Sequence, residues 1–383
     1  MKMALPDISI IEKHRRGEKV SEKDLKTKSD KKKKTTKKSK ENTSDKSAKI
    51  QNFIDFFSSK DGTYAEKFSE MDSNDYRKTG LYMFDHVICK YGMKFPGKIL
   101  IYGRPHIGKT SFFHALISSY MDRNPEAYVA YLDLDWTVDK EFVENQHKIT
   151  GPKSDKFVYM RVQSADKAMH MFNKALDEKL FDIIVADPWN MIAIQADVDK
   201  DGATSKTQLI GKTKVADRAM INGDFFRTKS HLIDASGVSF MFAEHETSNM
   251  STGTGFAGGS ALESSMEIIV QMTKPFKPPV PVWFDKEQGD IVTPVEFYIK
   301  KQKLNNNKKQ RYYLYFHKDK GYLSEYDKFA FLLHHKKLQQ NGAYWKFDHP
   351  DLCEIKSFYF KDWEQVVEDN YELIKKACDD LCK

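Results

Sequence analysis

Cysteine is scarce in this sequence: four residues in 383, at positions 89, 353, 378 and 382, with no C-x-x-C spacing. That argues against a disulfide scaffold and against a thiolate metal centre. Cys378 and Cys382 stand one helical turn apart and read as free thiols near a helix end, which fits a reducing cytosol. Long hydrophobic runs are also missing. No stretch of about 18 apolar residues occurs, so no membrane span is expected. The opening MKMALPDISIIEKHRRGEK has too short an apolar stretch for a signal peptide and no small-residue cleavage site, so the chain is expected not to be secreted. What is abundant is core material: 40% hydrophobic and 13% aromatic residues, enough for one large domain with appendages or for two domains.

The formal charge of +7 belongs to one segment. Between Lys13 and Lys49 there are 16 Lys or Arg against 6 Asp or Glu, a surplus of ten that leaves the rest of the chain about three units negative. The stretch KTKSDKKKKTTKKSKENTSDKS has almost no apolar residues, so residues 1–49 are expected to be a basic, largely disordered N-terminal arm. A nucleic-acid tether, a sorting signal and a plain solvated linker all remain open for it.

Downstream, IQNFIDFFSS (50–59) has apolar residues at 50, 53, 54 and 57, the spacing of a helix. Residues 50–96 read as an N-terminal helix and oligomerisation linker. From residue 97 to about 272 short β-branched runs alternate with helical patterns. YVAYLDLD (128–135), FVYMRVQ (157–163), DIIVAD (182–187), GVSFMFAEH (237–245) and MEIIVQM (266–272) read as buried strands. Helices are expected over 110–122, 166–179 and 215–236. Such alternation predicts an α/β fold with a mostly parallel central sheet. EFYIKKQKL and QRYYLYFHK then suggest antiparallel edge strands, closing a core over 97–324. FAFLLHHKKLQQ and DWEQVVEDNYELIKKACDDL are helical patterns of a small α-rich C-terminal cap, 325–383.

GRPHIGKT (103–110) fits G-x-x-x-x-G-K-[ST], the phosphate-binding loop, and stands between a strand and a helix as that loop requires. The glycines of the loop let its backbone N–H groups wrap phosphates, making Gly103, Arg104, Pro105, His106, Ile107, Gly108 and Ser111 candidate ATP-binding residues. Lys109 can reach the β and γ oxygens, and the Thr110 hydroxyl can ligate Mg²⁺. Asp187 ends a second buried strand and can hold the metal's water shell. Asp133 or Asp135 can orient an attacking water, and His245 ends another apolar strand.

With these pieces in order, the sequence resembles the RecA-fold recombinases, and among them the phage UvsX-type strand-exchange proteins, over roughly residues 65–320. ISSYMDRNPEAYVAYLDLDW resembles the helix and strand after their phosphate loop. AEHETSNMSTGTGFAGGSALESSMEIIVQMTK resembles their strand, loop, Gly-Gly element and final strand, and GAYWKF resembles part of the UvsX C-terminal region. The resemblance implies a RecA-like P-loop ATPase core that takes ATP and Mg²⁺. Lys109 and Thr110 are then the Walker A pair, Asp187 the Walker B aspartate and His245 the γ-phosphate switch. It further implies that Asp139 and Phe142 contact the adenine, and that Lys301 and Lys303 reach a neighbour's ATP across a filament interface. Two DNA loops are implied, one at 197–212 with Lys200, Lys206 and Lys212, the other at 246–258 with Met250 and Phe256.

The expectation is a DNA-dependent ATPase. It would form helical filaments on single-stranded DNA, pair them with homologous double-stranded DNA and work with a recombination mediator or loader. Its place would be a bacterial host's cytoplasm, or a compartment a phage builds there. One position departs from the family. Asp135 stands where the resemblance implies the catalytic glutamate, its carboxylate set back by roughly 1.5 Å, which would slow hydrolysis. Two other readings stay open: an ATP- and DNA-binding structural filament or mediator protein with little hydrolysis, and a RecA-fold ring helicase.

Overall fold

A computed structural model describes residues 48–55, 75–89, 91–161, 165–189, most of 223–249, 253–256, 259–276, 283–285, 289–303 and 310–382. The chain divides into two compact units, Met1–Ser73 and Asn74–Lys383. In the first, residues 48–55 are helical, with Ile50 and Phe53 exposed and Gln51 bonded to Asp55 one turn on (3.0 Å).

The second unit is α/β. It begins with β1 (Asp75–Arg77), a π-helical turn over Met83–Ile88 and β2 (Met93–Phe95), which pairs antiparallel with β1. The parallel strands are β3 (Lys98–Gly103), β4 (Val129–Asp133), β5 (Phe157–Arg161), β6 (Ile183–Asp187), β7 (Ser239–Asn249) and β9 (Ile268–Thr273). Their spatial order is β9-β3-β7-β6-β4-β5, all neighbours parallel. β8 (Gly253–Phe256) folds back on β7. β10 (Trp283–Asp285), β11 (Gly289–Gln302), β12 (Arg311–His317) and β13 (Gly321–Tyr322) extend the sheet antiparallel beyond β9.

The strands read as unbroken apolar runs because both faces are covered. Alternate residues split between two cores. Ile99, Ile101, Tyr131, Val185 and Met241 pack with Phe112, Phe113 and Leu116 of helix α1 (Lys109–Arg123). Leu100, Leu132, Ile184, Phe240 and Phe242 face Ala168 and Phe172 of helix α3 (Ala165–Asp177). Helix α2 (Lys140–His147) lies between β4 and β5 in the chain. Helical residues within 223–236 also fall where a helix was expected; residues 215–222 lie outside the described set.

The C-terminal region is helix-rich as expected, but its first helical pattern ends early. Helix α5 (Ser324–His334) stops before Lys336, whose φ is +58°. The next residues become β14 (Leu338–Asn341), which forms with β15 (Tyr344–Phe347) and β16 (Phe358–Tyr359) a separate antiparallel sheet. The apolar period lapses through His335-Lys336-Lys337. Gly342, at φ +62°, then reverses the chain in a two-residue hairpin loop. The last helical pattern is also broken, at Asn370, into α6 (Trp363–Asp369) and α7 (Tyr371–Leu381).

The cap and the sheet domain share a core, since Phe329, Phe331 and Leu332 belong to the same buried cluster as Met83, Phe84 and Ile101. Asp327, buried on α5, accepts the backbone N–H of Tyr82 (2.5 Å) and of Met83 (3.1 Å) at the start of the π-helical turn. No helix among the described residues is long and apolar enough to cross a membrane.

Candidate functional site

In the parallel sheet the chain leaves β3 for β4, with two strand positions between them, and later returns to both sides of β3. Such a reversal of strand order opens a crevice at the carboxyl ends of the strands, where α/β proteins place ligands. The register fixes what meets there: Gly103 is opposite His245, and Asp133 is opposite Asp187.

The loop from Gly103 to Gly108 joins β3 to α1. Gly103 has no room for a side chain, because a Cβ would lie 2.5 Å from the Met272 carbonyl oxygen on β9. His106 and Gly108 take left-handed φ values of +60° and +90°. Alternating backbone handedness of this kind turns successive N–H groups toward one point and makes an anion-binding concavity. The positive end of α1, beginning at Lys109, adds to that field. Gly103 to Ser111, the residues expected to wrap a phosphate, form this loop and the first residues of α1.

Lys109 is buried, and its Nζ donates to the carbonyl oxygens of Gly103 (3.1 Å) and Arg104 (3.0 Å). Burial lowers its pKa, while Asp187, Glu244, Asp135 and Glu246 pull it back up. Thr110 Oγ1 donates to Asp187 Oδ2 at 2.6 Å, and the Tyr131 hydroxyl donates to the same oxygen at 2.6 Å. Burial raises the Asp187 pKa, opposed by those two hydrogen bonds and by Lys109. A buried carboxylate beside a hydroxyl offers hard oxygen ligands to a divalent cation, and a cation there would offset the burial. The pair suits Mg²⁺, which is held by one or two protein groups together with phosphate oxygens and water. Among the described residues no cluster of three or more His, Cys, Asp or Glu side chains forms an all-protein metal cage.

The tip of β4 is knotted by Asp133. Its carboxylate accepts the backbone N–H of Trp136 (2.9 Å) and Val138 (3.2 Å), takes the Tyr159 hydroxyl, and stands 3.7 Å from Arg161 Nε. Asp133 is thus a turn-holder, which leaves Asp135 as the more accessible carboxylate. Asp135 accepts from Thr137 Oγ1 (2.7 Å) and lies within electrostatic reach of both Lys109 and His245. Burial and the nearby Lys109 ammonium lower the His245 pKa. Its Nδ1 is buried and takes no hydrogen bond from the described residues.

Other candidates lie further out. Asp139 caps α2, its Oδ1 accepting from Glu141 (2.7 Å) and Phe142 (3.2 Å) backbone N–H groups. It also lines a cavity of about 510 Å³ with Val138, Val143, Phe157, Tyr159 and Arg161. Phe142 packs half-buried on the first core. Lys301 donates to the Glu263 (2.5 Å) and Ser264 (3.0 Å) carbonyls at the carboxyl end of helix α4 (Gly259–Ser265). Lys301 pairs with Ile269 early in β9, whereas Gly103 pairs with Met272 near its end. Lys301 and the exposed Lys303 therefore sit at the opposite end of the sheet from the loop, and no single chain unites them with Lys109. Phe256 lies against Tyr102, ring centroids 5.1 Å apart, and does not project as a free wedge. Lys200, Lys206, Lys212 and Met250 lie outside the described residues.

Sequence reasoning missed Tyr131 and Glu244. Tyr131 is buried in β4 with its hydroxyl on Asp187. Glu244 is fully buried in β7, opposite Tyr102. The signal for Glu244 was present: a carboxylate inside an otherwise apolar strand. No protein-family model matches the chain and no curated protein matches it.

Proposed function

We propose that the chain is a RecA-like P-loop ATPase acting as a DNA recombinase, filamentous on single-stranded DNA and promoting pairing with homologous duplex. One arrangement carries the nucleotide half of this reading. A left-handed glycine loop, a buried lysine, and a threonine 2.6 Å from a buried strand-end aspartate all meet at the carboxyl edge of a parallel sheet. Lys109 is held by two carbonyl oxygens that it would exchange for phosphate oxygens. Thr110 and Asp187 would hold Mg²⁺, which neutralises charge between the β- and γ-phosphates. Asp135 would orient water, and His245, in register with Gly103, would sense the γ-phosphate.

The DNA and filament half follows from the family resemblance. The position of Lys301 and Lys303 agrees with it, because they could meet a nucleotide only from a neighbouring subunit. A host cytoplasm or phage-built compartment belongs to the same reading. A second reading, an ATP-clasping filament or mediator protein with little turnover, is favoured by one observation. Asp135 is both shorter than glutamate and engaged by Thr137.

The test is ATP hydrolysis with and without single-stranded DNA, for the wild type and Lys109→Ala. DNA-stimulated hydrolysis that vanishes in the variant is expected. ATP-dependent DNA binding without hydrolysis would move the second reading to the front, and hydrolysis surviving in Lys109→Ala would end the first.

A further inference from the structure

Arg104 follows β3, and Glu246 follows His245 on the neighbouring strand. Because Gly103 and His245 are in register, these two side chains emerge together. Arg104 Nε stands 3.3 Å from Glu246 Oε2, while Gln271 Nε2 donates to the other oxygen, Oε1, at 2.7 Å. The two ends of the pair differ in setting: the Glu246 side chain is 9% exposed and the Arg104 side chain 83%. Arg104 is also held through its main chain, since its carbonyl accepts from Lys109 Nζ.

Glu246 opens the β7–β8 hairpin, where it is paired with Phe256, whose ring rests on Tyr102 of β3. The hairpin is therefore joined to the β3–α1 loop by an ionic contact and to β3 itself by an aromatic one. They differ in what can break them. A ring contact is indifferent to a nucleotide. An exposed guanidinium beside an anion-binding loop is not, because phosphate competes with carboxylate for the same N–H donors.

We propose that Arg104 and Glu246 are the positioning pair through which a nucleoside triphosphate in the 103–108 loop controls the β7–β8 hairpin. The nucleotide's part in this rests on the ATPase reading; the pinning of the hairpin does not. Without nucleotide, Arg104 closes on Glu246 and Lys109 holds the Arg104 carbonyl. When phosphate arrives, Lys109 turns to it and the guanidinium follows. Glu246 is then a nearly buried carboxylate that keeps the Gln271 amide and the more distant field of Lys109 but has lost its ion-pair partner, a costly state that it escapes by moving outward with its strand end. The hairpin is released from the sheet, and its change of position is the signal passed to whatever strand or partner it contacts. His245, one residue earlier, senses the phosphate directly, whereas this pair senses it through exchange of an ionic partner.

The experiment is hydrogen exchange of amides 246–256 in the full chain, with and without Mg²⁺ and a non-hydrolysable ATP analogue. Nucleotide binding is scored separately by thermal shift. In the wild type the analogue is expected to speed exchange in the hairpin by about fivefold, the scale of one lost ion pair. Arg104→Ala and Glu246→Gln should show that faster exchange already without nucleotide, with little further change on adding it. The charge swap, Arg104→Glu with Glu246→Arg, should restore slow exchange without nucleotide, which a mere local loss of folding would not. Equal nucleotide-free exchange in the wild type and both single variants would overturn the pin. A thermal shift with no change in hairpin exchange would overturn the link. No thermal shift at all would instead sink the ATPase reading, and the nucleotide-free comparison would still decide the pin.

Discussion

Lys109 and Thr110 begin α1 and Asp187 ends β6, with Thr110 Oγ1 2.6 Å from Asp187 Oδ2. Lys109 and Thr110 are fixed by the loop that precedes them, and Asp187 by the end of an apolar run, so local pattern places all three. Asp135 has only its position after β4 to recommend it, and its competitor Asp133 is decided by hydrogen bonds to residues up to 26 positions away. If Asp135 is the water-orienting carboxylate, Asp135→Glu extends its reach by one methylene. ATP turnover should rise, by on the order of tenfold given how steeply rate depends on placement; an unchanged rate in Asp135→Asn would remove Asp135 from the role. Asp327 supports a prediction about stability. Burial pushes its pKa up to about 7, against the lowering effect of the two backbone N–H groups it accepts. The folded state therefore binds this proton more tightly than the unfolded chain does. The stability it contributes is complete below about pH 4 and is lost as pH rises through 7. Between pH 5 and 8 the wild type should lose on the order of 3 kcal/mol more than Asp327→Asn in denaturant unfolding. Parallel curves for the two proteins would contradict the assignment.

Among the elements, the parallel strands were legible because a strand covered on both faces is a short apolar run with turn residues at its ends. The β3, β4 and β6 segments meet that description completely. Within the helix-rich cap, the end of the first helical pattern was misread for a related reason. Helix and strand cannot be told apart by periodicity in a short stretch, and residues 329–340 carry a helical spacing for their first half only. Beyond His334 the hairpin is selected by Gly342 and by the burial of Leu338, Trp345 and Phe347. Trp363 closes that region, fully buried, its Nε1 donating to the Glu325 carbonyl at 2.8 Å. Trp363→Ala should cost roughly 3–5 kcal/mol. Because α5 shares its core with the π-helical turn and β3, near-ultraviolet and far-ultraviolet signals should still fall together in one transition. Separate transitions would mean that the cap folds alone.

At the scale of the whole molecule the charge is divided. The segment 13–49 carries 16 basic against 6 acidic residues, and the remainder is slightly negative. If the arm tethers nucleic acid, deleting residues 1–49 should weaken single-stranded DNA binding and flatten its dependence on salt, since fewer counterions are released. Equal slopes in log affinity against log salt would leave the arm as a linker. The sequence by itself determined the α/β class, the order of the buried strands, the loop at 103–110 and the segregation of charge. All of these are local: they depend on apolar period, turn residues and composition within a few positions. Tertiary structure decided the rest. It set β7 beside β3 in a register that brings Arg104 to Glu246. It placed Tyr131 on Asp187, sent Lys301 to the far end of the sheet and turned half of an apparent helix into a hairpin. Most of those outcomes depend on which strands become neighbours, and a pairing between distant residues, 142 positions for Arg104 and Glu246 and 56 for Tyr131 and Asp187, leaves no periodic trace in either segment.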